Sequence, residues 1–327
     1  MSISELRAKI VAFKKQNPQK GALKRKIKQA LALRIKNQYV SFVYKFHRQK
    51  LNAEQTERIL KWKWYVYLKR KYSRFLESLT LPPMPENQEI PKILWWCWLQ
   101  GEENAPPLCR ACLNSLRRNM SGYEIRIVTE KNMWDLISVP GFIRKKYEKG
   151  IIPRTQFSDL LRTCLVLEHG GIWVDSTVLC TGNIPPVQFD KHLFIYQNYK
   201  RGDESICLST WLIAACSNEP GLALTRELLL EYWRRNNSLC HYFIYHFFFT
   251  MVCERYPQVL ESVPRYSNLP PHILQFEMFK PFDSVRWEQI KGMSAFHKLS
   301  WKYDTDSIDV RGTYYEHVLQ EYGEKRL

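Results

Sequence analysis

Two carboxylates and a guanidinium stand close together near the middle of the chain, each beside a local signal that would present it. Asp159 and Arg162 lie three apart in Phe157-Ser158-Asp159-Leu160-Leu161-Arg162, so a helix puts both on one face. That face is separate from the apolar stripe of Phe157, Leu161 and Cys164. Asp175 ends the run Gly170-Gly171-Ile172-Trp173-Val174-Asp175 and is followed by Ser176 and Thr177. The run reads as a tight turn and then a short buried strand that stops at a carboxylate. In open α/β sheets ligands collect at the carboxyl ends of strands. An Asp there, with two hydroxyl residues after it, has oxygen donors for a divalent cation and room for a phosphate. The same residues also fit a plainer role, an Asp–Arg surface pair and a turn-capping Asp175. Spacing alone leaves both open.

Other chemistry finds less support. His241 and His246 do not form an HExxH zinc site, because no Glu follows the first His. There is no GxxxxGK[ST] phosphate loop and no GxGxxG dinucleotide fingerprint, which removes the main support for ATPase and NAD-enzyme readings. Trp95, Trp96 and Trp98 could offer aromatic faces to a base or a sugar, or fill the core under a first strand. Nine cysteines are an odd number, and most sit inside apolar runs, as reduced buried thiols do. Cys109 and Cys112 make a CxxC with no second pair at zinc spacing.

The elements that must hold these residues alternate. Strands are expected at residues 92–98, 123–128, 172–174, 192–197 and 207–215. Helices are expected at 106–118, after Asn132, at 140–149, 155–168, 221–235 and 239–255. Alternation of this kind implies an α/β sheet protein. Ahead of it, Leu81-Pro82-Pro83-Met84-Pro85 reads as a linker, and residues 1–80 read as helices. One spans Ile27 to Phe46 with apolar residues at three- and four-residue steps; a second starts at Asn52 and runs to Leu76.

Charge separates these two parts. Residues 1–80 carry 21 Lys or Arg against 4 Glu, an excess of 17 that equals the net charge of the whole 327-residue chain. A neutral body argues against a nucleic-acid enzyme, whose groove must itself be basic. The basic segment, with Trp62, Trp64, Tyr65, Tyr67 and Tyr72 interleaved, suits an anionic membrane surface. It equally suits a helical hairpin packed on the main domain with a solvated basic face. No apolar run is long enough to cross a bilayer, and no charged-then-apolar start reads as a secretory signal.

From Ile90 to about Ile184 the sequence resembles the capsular polysaccharide synthesis family of bacterial glycosyltransferases, relatives of the sugar transferases named for a DXD motif. The matching stretches are Pro91-Lys92-Ile93-Leu94-Trp95, Gln100-Gly101, Phe157 to Arg162, and Gly170 to Thr177. Weaker matches continue at Trp211-Leu212-Ile213-Ala214 and His297-Lys298-Leu299. The resemblance implies an α/β, GT-A-type, Rossmann-like nucleotide-sugar domain over residues 91–327. A basic α-helical segment over 1–80 and a Pro-rich linker over 81–90 would precede it.

It further implies transfer of a hexose from a nucleoside-diphosphate sugar, first of all a UDP-sugar, with retention and with Mn²⁺ or Mg²⁺. The acceptor would be a glycan or polyprenyl-linked chain of a capsular or surface polysaccharide. Asp175 would be the catalytic and metal-holding carboxylate, and His297 a second metal ligand unless it is simply a buried, hydrogen-bonded His. Asp159, Arg162, Ser176, Thr177 and Trp95 would bind the donor. Thr177 stands where the DXD motif has its second Asp, leaving one carboxylate where two are usual. The expected location is cytoplasmic, peripheral on the inner face of the membrane through residues 1–80. The rival from another class is a non-catalytic scaffold on that surface.

Overall fold

Short apolar runs bounded by Pro and Gly become the strands of a central sheet. The computed structural model describes residues 53–85, 89–198, 205–261, 263–303, 305 and 307–323. The helix expected between Ile27 and Phe46 lies outside them. In chain order come α1 (Ala53–Glu77), β1 (Ile93–Cys97), α2 (Pro107–Asn119), β2 (Glu124–Val128), α3 (Gly141–Glu148) and α4 (Arg154–His169). Next are β3 (Gly171–Val174), β4 (Val178–Cys180), β5 (Leu193–Gln197), β6 (Leu208–Ala215), α5 (Pro220–Arg235) and α6 (Ile244–Arg255). Last are α7 (Ser284–Met293), β7 (Phe296–Lys298) and α8 (Tyr314–Tyr322). One-turn helices fill some of the connections, including Met133–Leu136 after Asn132.

The main sheet has the order β2-β1-β3-β6-β5. β2, β1 and β3 run parallel, while β6 is antiparallel to both β3 and β5. The sheet is therefore mixed, and a fully parallel Rossmann-like winding holds only for its first three strands. Chain order reverses at β1, with β2 on one side and β3 on the other, and the carboxyl ends of β1 and β3 are therefore where an open α/β sheet takes its ligands. The register Leu94↔Ile172, Trp95↔Trp173 and Trp96↔Val174 brings Cys97 level with Asp175.

Strand alternation sends side chains to two cores. Trp95, Trp173, Ile195 and Ile213 join α1 and α3 to α6 in one apolar cluster. Leu94, Trp96, Ile172 and Val174 face α2 in a second cluster. The far side of α2 carries α7 and α8 in a third, around Trp287, Ile290 and Tyr314. Helices thus cover both faces, and β3, β5 and β6 are buried along their whole length.

α1 is part of this body. Its Tyr65, Leu68, Tyr72 and Leu76 are buried in the first core. Tyr72 sits 5.2 Å edge-on to Phe248, and its hydroxyl accepts a hydrogen bond from Asn236 Nδ2 at 2.9 Å. This takes Tyr65 and Tyr72 out of the set of rings open to a membrane. Trp62 and Tyr67 stay about half exposed on the outer face. No helix among the described residues is long and apolar enough to cross a membrane.

Candidate functional site

Asp175 is fixed from several directions. α4 is capped by Pro153 and by Gly170, whose positive φ of 67° ends the helix, and Gly171 at φ 96° starts β3 at once. Four residues of strand then carry the chain across the sheet to Asp175. Its backbone N–H donates to Trp211 O at 2.8 Å, which ties it to β6. Trp173 Nε1 donates to Asp175 Oδ1 at 3.0 Å.

Two cations meet the carboxylate. Arg162 Nη2 lies 3.4 Å from Oδ1, and Lys298 Nζ lies 3.2 Å from Oδ2. Burial alone would raise the Asp175 pKa, but Arg162, then Lys298, outweigh it and hold the carboxyl below its usual range. Its side chain remains 24% exposed, so it can be reached from solvent.

Arg162 is the hub behind it. It donates to Thr210 O at 2.6 Å and to Ser158 O and Ser158 Oγ, both at 3.2 Å. Its guanidinium also lies over the Trp173 ring, 5.1 Å from the centroid, and 3.5 Å from Asp159 Oδ1. Only 7% of its side chain is exposed. The structure therefore brings Asp159, Arg162 and Asp175 together, with Arg162 largely spent on holding the other two. Tyr242, in the turn before α6, and His246, in its first turn, stand by the same charges. Burial, with Arg162 adding, pushes the His246 pKa down to about 3, so this imidazole is neutral.

Asp159 behaves differently from Asp175. Burial pushes its pKa up to about 7, Arg162 offsets only part of that, and the Asp175 charge adds to it. A carboxyl whose pKa rises from 3.8 on folding stabilises the fold least above pH 7 and loses stability as pH climbs between those values. In urea unfolding, the stability of the wild type relative to Asp159→Asn should therefore fall from pH 4 to pH 8, by up to about 4 kcal/mol. An identical pH profile for the two proteins would remove Asp159 from this account.

Two assignments made from the sequence need correction. Trp95 is fully buried. Its indole N–H donates to Gly170 O at 2.9 Å, and it presents no surface to a donor. His297 does not reach Asp175. It is buried beside Thr181, with Nε2 3.1 Å from Thr181 Oγ1, and burial lowers its pKa to about 4. The reason is the two-residue period of β7: when His297 points one way, Lys298 points the other. β7 pairs with β4 in the register Val178↔Lys298 and Leu179↔His297, and Leu299 N donates to Thr177 O at 2.9 Å. Lys298 is thereby delivered to Asp175 and donates to Thr177 Oγ1. Ser176 turns toward the Cys109 thiol on α2.

As they are placed, the residues at Asp175 fit a divalent ion poorly. The one reachable carboxylate is already paired with two cations, Thr177 is a hydroxyl engaged by Lys298, and His297 faces away. Among the described residues no group of three or more His, Cys, Asp or Glu could hold a metal ion. The nine cysteines are free thiols, most of them buried.

Among solved structures, a chain described as "PaToxG Glycosyltransferase" aligns over 81% of this chain and 98% of its own length, at 14% identity and a TM-score of 0.38. No curated protein matches the sequence. The family model described as capsular polysaccharide synthesis protein matches residues 43–318, from before α1 to the body of α8. With most of its length inside that match, the chain belongs to the capsular polysaccharide synthesis family.

Proposed function

We propose that this chain is a glycosyltransferase that moves a hexose from a nucleoside-diphosphate sugar, first of all a UDP-sugar, to a glycan or polyprenyl-linked acceptor. The observation that carries the reading is the Asp175–Arg162–Lys298 cluster at the carboxyl ends of β1 and β3 in a member of the capsular family. In the reaction the bond between the anomeric carbon and the diphosphate oxygen breaks. The anomeric carbon bonds to an acceptor hydroxyl oxygen, whose proton is released, and the nucleoside diphosphate leaves. Retention of configuration is the stereochemistry that the sequence resemblance implies.

The donor enters at the strand ends, with its hydroxyls toward Asp175 and Asp159 and its phosphates toward the positive side of the cluster. Charge building on the leaving diphosphate is the main electrostatic demand of such a transfer, and preorganised cations answer it. Half-exposed Trp301, edge-on to Trp98 with ring centroids 5.8 Å apart, offers an aromatic face for an acceptor sugar. The test is a panel of UDP- and GDP-sugars with purified protein, reading release of the nucleoside diphosphate. Release with one donor, raised by acceptor glycan, is the expected result; no binding and no turnover across the panel would favour the scaffold.

The enzyme is proposed to work on the inner face of the membrane. Supporting this, the net charge lies in residues 1–80, and the outer face of α1 carries exposed Lys63, Arg70 and Arg74 beside Trp62 and Tyr67. Each Lys or Arg near an anionic leaflet contributes about 1 kcal/mol. Residues 1–52 alone hold 14 Lys or Arg against 1 Glu, and their removal spares the core residues of α1. Co-sedimentation with anionic vesicles should be strong for the full chain, weaken with salt, and drop sharply on deletion of 1–52. Equal sedimentation of the two would refute membrane docking by this segment.

A further inference from the structure

The sugar-transfer reading requires positive charge at the donor diphosphate, and a divalent ion is the usual source. Such an ion takes six or more oxygen ligands, with one or two carboxylates among them. At the end of β3 the protein supplies one carboxylate, Asp175, and the hydroxyls of Ser176 and Thr177, with a Thr where a second Asp would stand, so phosphates and waters would have to complete the set. The space such an ion would occupy beside Asp175 Oδ2 and Thr177 Oγ1 is already claimed by the ammonium of Lys298. An incoming dication would face both Lys298 and Arg162 at close range.

We propose that Lys298 is the built-in cation of the donor site, its ammonium taking the place of a divalent ion at the diphosphate, so that nucleotide binding needs no metal. The proposal rests on the nucleotide-sugar reading. Three structural features support it. An ammonium has three N–H donors, and Asp175 and Thr177 engage two of them, which leaves a third for a phosphate oxygen. Lys298 is the reachable cation of the cluster, with 21% of its side chain exposed against 7% for Arg162. Its position is imposed by the β4–β7 register, so the charge is held in place before a donor arrives. Asp175 then acts on the donor partly through Lys298, by aiming the ammonium, and Arg162 acts through Asp175.

Calorimetric titration of the full chain with UDP and with GDP, in EDTA and in Mn²⁺, tests this. The expected result is nucleotide binding of the same affinity in both buffers. Lys298→Met should weaken binding in EDTA by at least about tenfold, the loss of one charge-assisted hydrogen bond to phosphate. Lys298→Arg should recover part of that loss, and a thermal melt checks that both variants are folded. The wild-type comparison needs no variant at all. Nucleotide binding only when Mn²⁺ is present would overturn the inference and leave the nucleotide-sugar reading standing. Unchanged binding by folded Lys298→Met would also overturn it. No binding of either nucleotide in either buffer would overturn the nucleotide-sugar reading itself, and the inference with it.

Discussion

Replacing Asp175 with Asn is expected to reduce sugar transfer by about two to three orders of magnitude in a chain that still folds. The amide keeps the shape of the side chain, and its oxygen can still accept from Trp173 Nε1. What disappears is the charge. Lys298 loses the anion at 3.2 Å that aims its ammonium, and the donor hydroxyls lose a strong acceptor. Some stability goes as well, because Arg162 is left with Asp159 as its carboxylate partner. That loss is limited, since Arg162 keeps Thr210 O and Ser158, and about 1–3 kcal/mol is expected. Initial rates on the donor found by the panel, beside a urea unfolding curve, separate the two effects. Near-wild-type turnover in folded Asp175→Asn would remove this residue from the chemistry.

Gly171→Ala is expected to be strongly damaging, because two separate faults meet at one position. Gly171 has φ 96°, a conformation that L side chains rarely adopt. A Cβ there would lie 2.5 Å from the Ile93 carbonyl oxygen, a backbone atom of the neighbouring strand. Neither problem can be relieved without moving β3 away from β1 and Asp175 with it. A loss of at least about 3 kcal/mol is expected from the strain and the clash together. Gly292 supplies the control: it lies within α7, and nothing stands within 4 Å of a Cβ added there. Gly292→Ala should be neutral or stabilising by about 0.5–1 kcal/mol. Denaturant curves of the two variants should differ widely; similar curves would show that the Gly170-Gly171 turn is not the constraint described.

The parts of the fold that could be read from the sequence are those with a local cause. β1, β3, β5 and β6 are buried apolar runs ended by turn residues, and α2 and α4 carry a Pro at or just before their first turn. β4 and β7 could not be read, since each is three residues long and each exists only because it pairs with the other across more than a hundred residues. α6 starts at Ile244 and not at 239 because side chains take the preceding backbone donors: Tyr232 Oη accepts from Cys240 N, and His241 Nδ1 accepts from Phe243 N.

The site divides in the same way. Asp159 and Arg162 could be paired from helical period, and Asp175 from the strand that ends on it. Lys298 could not be preferred over His297 without the β4–β7 register. Trp95 looked available to a ligand because a strand buried on both faces shows no polar alternation to say which way each residue points.

The packing of α1 bears on where the reaction takes place. A basic segment hung on a flexible linker would act as a leash, holding the enzyme near a surface at any height and tilt. α1 instead shares its Tyr65, Leu68, Tyr72 and Leu76 with the core that α6 also enters, and α6 begins beside the charges around Asp175. It is a bracket and not a leash. On the proposed function, a surface that gripped its outer face of Trp62, Lys63, Tyr67 and Arg70 would fix the standoff between that surface and Asp175, and hence the length of acceptor glycan whose end meets the donor in register.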